Sequence, residues 1–324
     1  MWKQGVTASG PLMQRALEIR GTRRFALTLL TGGEAAMRVM DDILLARLYD
    51  ELVVGGNIHK TTRRNRFKGL DQQVLAIVRE RFAAVPELLV HDVGASSGIT
   101  SLELWRSLVA ERPTRMHASD YYAVLLVVRM ANCPWAVVCE EDGAPLQFVS
   151  ERFVLRAVQP ESVLRPVNRW LQRRARKWLP QVDALLKAAG AGQQNAAPGR
   201  AGASIERIQL WHPECSLTAA AEPRFSVGRH DVFATMPPKW HLVRAMNVLN
   251  PGYFNPERQR VAARALAGSL LPGGVLVVGR TREEADASTA VSFFVREGNG
   301  LRVLLDLRGG AENRDLILEA GGAL

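Results

Sequence analysis

Cysteine is scarce in this sequence and falls in no recognisable pairs: Cys133, Cys139 and Cys215 are an odd number without metal-type spacing. A disulfide framework and a structural zinc site are therefore excluded. With no secretory leader, a reduced, cytoplasmic setting is expected. Long apolar runs are also missing. The longest, YYAVLLVV at 121–128, is far short of the ~20 residues that cross a bilayer. Acidic residues are outnumbered, 32 against 42 basic, which leaves a formal charge of +10. That excess suits an anionic partner, whether nucleic acid, lipid surface or small acid, and does not choose among them.

What is present is ample core. With 324 residues, 47% of them hydrophobic, the chain supports one large domain with an appendage or two modest domains. Residues 1–86 show helical periodicity, as in AAMRVMDDILLARLYDELV and LDQQVLAIVRERFAAV, and read as a helical N-terminal cap ending near Pro86. From 87 to 122 the pattern is strand, glycine turn, helix, strand. Residues 205–324 continue it, with strands in RFSVGRHD, WHLVRAMNVL and GGVLVVGR and a helix over ERQRVAARALAGSLL. The alternation implies an α/β fold with a doubly wound, mostly parallel sheet. TAVSFFVRE and LRVLLDLRG flank GNG and add an antiparallel pair at the end. Between them, 123–204 reads as an insertion: a β-hairpin around the DG of WAVVCEEDGAPLQFV, a basic helix, and a low-complexity stretch at 189–204 expected to be a mobile linker.

The stretch HDVGASSGIT at 91–100 ends one buried strand and opens a helix. It lacks the G-x-G-x-x-G of a dinucleotide fold and the G-K-[ST] of a P-loop. Gly94 and Gly98 still allow close approach of a ligand to the backbone. Asp92 at the strand end suits an ammonium or hydroxyl better than a phosphate.

This turn resembles the first motif of the class I S-adenosylmethionine-dependent methyltransferases, and the resemblance extends over most of 87–310. It implies S-adenosyl-L-methionine as cofactor and a Rossmann-like methyltransferase sheet with a reversed last strand. It implies that Asp120, in HASDYY, takes the ribose hydroxyls with Tyr121 beside it. By the same likeness Asp231, in RFSVGRHDVF, meets the adenine amino group, with Val232 and Phe233 packed on the ring. LLPGGVLVVGRT matches the family's turn and strand after the fourth crossover. Within the family the chain is distantly similar to the chemotaxis receptor carboxyl methyltransferases, through RAMNVLNPGYF. In this chain two residues separate Arg244 from Asn247, and NPG precedes Tyr253. Asn247 is a candidate for the cofactor site or a turn cap, and Tyr253 for the acceptor site.

Two further features bear on the acceptor. RPVNRWLQRRARKWL at 165–179 is amphipathic, with Val167, Trp170, Leu171, Ala175, Trp178 and Leu179 on one face and Arg169, Arg173, Arg176 and Lys177 opposite or beside it. It reads as a surface helix, an anionic-membrane contact or, last, a nucleic-acid contact. Projection places Arg174 inside the apolar face, where it requires an acidic partner: Glu161, Asp183 or the substrate. His91, His212 and His241 titrate in the right range for a base, yet single histidines in strand-like runs are ordinarily structural, and none is assigned. The expected activity is methyl transfer to a small or lipid-like, anionic acceptor. A protein carboxyl methyltransferase and a catalytically silent cofactor-binding module are the alternatives.

Overall fold

A computed structural model describes residues 5–6, 37–51, 53–54, 58–150, 153–156, 165–189, 202–237, 239–281 and 289–322. The chain begins with β1 (Gly5–Val6), α1 (Asp42–Glu51), β2 (Val53–Val54), β3 (Ile58–His59), α2 (Lys68–Arg81), β4 (Leu88–Val93), α3 (Ile99–Val109) and β5 (Thr114–Asp120). It continues through β6 (Val124–Met130), β7 (Ala136–Glu140), β8 (Pro145–Val149), β9 (Phe153–Arg156), α4 (Arg165–Arg176), α5 (Leu179–Ala189) and β10 (Ala203–Gln209). The remainder is α6 (Pro213–Ala221), β11 (Phe225–Arg229), β12 (Trp240–Met246), α7 (Pro256–Gly268), β13 (Leu270–Thr281), β14 (Thr289–Glu297), β15 (Gly300–Leu307) and α8 (Arg314–Gly321).

These elements form two compact units, 1–62 with 124–213, and 63–123 with 214–324. The division corrects the three-part organisation expected from sequence. Residues 63–86 do not belong to an N-terminal cap. Helix α2 buries Leu70, Val74, Leu75 and Val78 and packs on α3 of the second unit, because that apolar stripe needs the sheet's helical layer to cover it. Residues 5–6 of the supposed cap pair instead with β9 of the insertion.

The first unit is built on an antiparallel sheet in the order β1-β9-β8-β7-β6-β10. The DG hairpin lies at its centre as β7 and β8, and Asp142 accepts the N–H of Ala144 across the turn. The apolar run at 121–128 is largely β6, whose Val124 to Val128 are all buried. Helices α4 and α5 meet near Pro180, which occupies the first turn of α5, where its missing N–H breaks no helical bond. The proposed linker at 189–204 falls mostly on 190–201, outside the described residues.

The second unit carries the seven-stranded sheet β11-β5-β4-β12-β13-β14-β15. Its first five strands are parallel, whereas β14 runs against both neighbours. The reversal thus falls on the first strand of the terminal hairpin, and β15 lies at the edge, because a two-residue turn can only join adjacent strands. Side chains alternate between two helical layers. Val243, Ala245 and Val93 pack with Ala262, Ala263 and Leu266 of α7 and Ile317 of α8. Asp92 and Arg244 face the other side, towards α2 and α3. The connection from β11 to β12, residues 230–239, contains no helix, although it must pass β5 and β4 to reach its neighbour.

No helix among the described residues is long and apolar enough to cross a membrane.

Candidate functional site

The strand order of the second unit reverses at β4: β5 and β11 lie to one side of it, β12 and β13 to the other. Ligands of open α/β sheets bind outside the carboxyl ends of the strands at such a point. Two loops meet there, the glycine turn after β4 and the Asn247–Phe254 turn after β12. Gly94 has φ +70°, and a Cβ on it would lie 2.2 Å from Cγ2 of Val248. Its glycine character is therefore demanded by contact with the neighbouring loop. Gly98, at φ 79°, is the N-cap of α3, and Ser96 between them also has a positive φ of 58°.

Asp120 closes this turn. Its Oδ2 accepts the Ser96 N–H at 2.8 Å and its Oδ1 the Tyr122 N–H at 2.9 Å, so the end of β5 is fastened to the loop after β4. Tyr121 is exposed beside it, its ring 4.5 Å beneath the Arg229 guanidinium. Asp231 lies just beyond β11, its Oδ1 on the Phe233 N–H at 3.0 Å. Its Oδ2 carries no hydrogen bond among the described residues. Phe233 meets Phe254 edge-on at 5.1 Å, and the guanidinium of Arg258 rests 4.3 Å above the Phe233 ring. Asp120, Tyr121, Asp231 and Phe233 thus gather along one edge of the sheet with the glycine turn.

Four expected site residues are placed otherwise. Asp92 is buried and turned inward. Arg244 donates to it from Nε at 2.9 Å and Nη2 at 2.6 Å, and the Ser101 hydroxyl adds a third bond at 2.5 Å. Residue 92 is the register partner of Arg244 on the adjacent strand, which turns its carboxylate to the interior. Val232 packs in the core with Trp240 and Val243. Asn247 has φ 61° and accepts the Thr281 N–H on its side-chain oxygen at 2.8 Å; it bridges the ends of β12 and β13. Arg174, in the first unit, is exposed, with its guanidinium 4.9 Å above Trp170. Asp183 pairs instead with Lys187 at 2.7 Å, and Glu161 lies outside the described residues. Tyr253 stands in the turn after β12, its N–H on the Asn250 carbonyl at 2.9 Å.

Arg244 is the residue whose importance the sequence reading missed. It is 1% exposed, and besides Asp92 it reaches Asp71 of α2 at 2.9 Å and the Thr100 carbonyl at 3.1 Å. Burial raises the Asp71 carboxyl to about 6, against the opposing pull of Arg244. A lone arginine in the apolar strand WHLVRAM and a lone acid in LLVHDV were the available signal, since buried charges require partners.

The five histidines whose side chains are described are held in local contacts. His91 is 1% exposed, with Nε2 2.8 Å from the Ser119 hydroxyl. Its ring lies 5.3 Å from His117, 5.1 Å from His230 and 4.9 Å from Trp240. His230, at the start of the connection, thus joins the strand residues His117 and Trp240 in covering His91. Burial first, then the neighbouring histidines, hold His91 far below the usual imidazole range; burial also lowers His117 and His230. His241 accepts the Leu89 N–H at 3.0 Å, and His212 lies 3.5 Å from Asp42. Among the described residues no cluster of side chains is arranged to hold a metal ion.

No protein-family model matches the chain, and no curated protein does. Solved structures do align with it. A S-adenosylmethionine-dependent methyltransferase from Clostridium acetobutylicum is 11% identical, over 79% of this chain and 80% of that one, with a TM-score of 0.31. CalS10, an amino pentose methyltransferase from Micromonospora echinaspora, is 12% identical over 82% and 91%, with a TM-score of 0.30. DesVI of Streptomyces venezuelae is 15% identical over 74% and 69%, with a TM-score of 0.30. The chain spans about half the length of the [4+2]-cyclase SpnF, 48%, at a TM-score of 0.29. Likenesses this weak carry no functional argument, and the site is read from its own geometry.

Proposed function

We propose that this chain binds S-adenosyl-L-methionine at the carboxyl edge of its seven-stranded sheet and transfers the methyl group to a small or lipid-like, anionic acceptor. The observation that carries the reading is that Asp120 and Asp231 stand at the carboxyl ends of the two successive strands, β5 and β11, on one side of the switch-point loop.

The donor set fits the group. Asp120 accepts a backbone N–H on each oxygen at the end of β5, and a carboxylate, with two acceptor positions on each oxygen, is the group that a pair of ribose hydroxyls requires. The free Oδ2 of Asp231 is an acceptor of the kind an adenine amino group needs. Tyr121 and Phe233 stand at the same edge, each with an arginine over one ring face and so with only the opposite face to offer, and positive φ at 94, 96 and 98 brings bare backbone up to the ligand. When bound, the sulfonium supplies an electrophilic methyl. The protein's share is then to orient the acceptor in line and exclude water, which is how positioning alone lowers a barrier. A carboxylate acceptor has no proton to lose, which accords with histidines occupied in structural contacts.

Transfer of labelled methyl from S-adenosylmethionine into low-molecular-weight, lipid and protein fractions of a cell extract tests the proposal. Label in the small-molecule or lipid fraction supports it. Label confined to protein favours the carboxyl methyltransferase alternative, and cofactor binding without any transfer favours a silent module.

A further inference from the structure

Helix α4 presents an all-cationic face that the site at the sheet edge does not use. Arg169, Arg173, Arg174 and Arg176 are exposed on it, and Lys177 just beyond its end. No carboxylate pairs with Arg169, Arg173, Arg174 or Lys177 among the described residues. In their midst Trp170 is 55% exposed, which for so large an aromatic is unusual in a side chain with no partner surface. The spacing makes a flat array. Residues 169, 173 and 177 and residues 170 and 174 lie three to four apart on neighbouring stripes, about 12 Å long at 1.5 Å per residue. The opposite face is anchored: Gln172 and Ala175 are buried, the latter 0% exposed, and the helix lies against β9.

We propose that this face of α4 docks on an anionic lipid bilayer, with the guanidinium and ammonium groups on the headgroups and Trp170 at the interface. Charge complementarity selects an anionic surface, and the exposed tryptophan selects the lipid one. Tryptophan concentrates at membrane interfaces, where a polar edge and an apolar body are both accommodated. Polybasic stripes add electrostatic attraction that salt screens. A single-stranded nucleic acid would need free ring faces for its bases, whereas the one exposed ring here already carries Arg174 at 4.9 Å. Because the apolar side of α4 is turned to its own unit, the contact is a shallow, reversible one and not an insertion. The inference is independent of the methyl-transfer reading, since it involves neither the cofactor nor the second unit.

The test is co-sedimentation of the full chain with vesicles of pure phosphatidylcholine and of phosphatidylcholine with 30% phosphatidylglycerol, at ~0.1 M and ~0.5 M salt, roughly either side of strong screening. The expected result is binding to the anionic vesicles alone, lost at the higher salt. R173E/R174E should lower partitioning by about tenfold or more with an unchanged melting temperature, and W170A by about threefold. Should the double charge reversal fail to fold, R173Q/R174Q carries the same comparison with smaller amplitude. Equal binding to neutral vesicles, no binding to anionic ones, or partitioning indifferent to these changes overturns the proposal. A 20-mer oligonucleotide that competes the protein off the vesicles through the same residues overturns it in favour of nucleic acid.

Discussion

Arg244 and Asp92 face each other across paired parallel strands, joined by two hydrogen bonds of 2.9 and 2.6 Å in the interior of the second unit. The pair joins β12 to β4 at the level of the glycine turn, and it turns inward an acid that the sequence alone would have assigned to the cofactor site. Breaking such a pair leaves an uncompensated buried charge. R244M should therefore destabilise the protein by about 3–5 kcal/mol. D71N should cost under ~1 kcal/mol at pH 7, since burial already opposes ionisation of Asp71 and the amide oxygen still accepts from Arg244. Urea unfolding of the two variants checks the ordering; equal losses would contradict it.

Gly94 and Val248 are coupled by the 2.2 Å that a Cβ would leave between them. G94A should destabilise by about 2 kcal/mol or more, from the clash and the positive φ together. V248A removes the clashing methyl but not the strain. The double variant G94A/V248A should accordingly recover part of the loss, with a coupling of about 1 kcal/mol in a double-mutant cycle. Strict additivity would show that the two loops do not meet as described.

The histidine cluster sets a pH dependence. His91, His117, His230 and His241 all have lowered pKa values through burial, so below pH 6.5 the unfolded chain takes up protons that the folded one refuses. Stability should fall as pH falls through that window. Asp71, raised to about 6, acts oppositely between about 6 and 3.8 and offsets part of the loss. For one fully shifted histidine the slope is about 1.4 kcal/mol per pH unit. H91F should lose about 2 kcal/mol less than wild type between pH 6.5 and 4.5 in urea titrations. Parallel curves would contradict a neutral, buried His91.

Arg174 was expected to be buried and paired, and helical projection explains the error. Projection assigns a face to each residue but not the width of the surface that covers the helix. Gln172 and Ala175 are buried while Trp170 is not, so Arg174 stands exposed over an exposed ring. R174M should change stability by no more than ~0.5 kcal/mol, read as the shift in thermal midpoint.

The alternation of strands and helices in 87–122 and 225–281 made the parallel sheet legible, because buried strands and amphipathic helices have different periods, whereas 205–209, expected to continue that sheet, belong to β10 of the antiparallel one. The terminal hairpin was legible from GNG, though not which of its strands would lie inward, since that depends on which edge of β13 is open. The two-unit division was not legible. Residues 5–6 find their partner near 153, and α2 finds its cover on α3, through contacts that no local pattern encodes. At the site, Asp120 and Asp231 were readable as acids at strand ends. The inward turn of Asp92 was not readable, because an alternating side-chain period decides inward or outward only once register is known: a single step separates Asp92, facing Arg244, from His91, facing Trp240.

The central claim is that the switch-point edge binds S-adenosylmethionine through Asp120. Isothermal titration of the demethylated cofactor product into wild type and D120A measures it most directly, with D231N alongside as the second acid and thermal midpoints recorded for all three. The expected result is low-micromolar or tighter binding to wild type, weakened about thirtyfold in D120A, which corresponds to about 2 kcal/mol for a lost charge-assisted pair of contacts. No binding to the wild type, or an affinity unaltered by D120A in a protein that remains folded, would contradict the account.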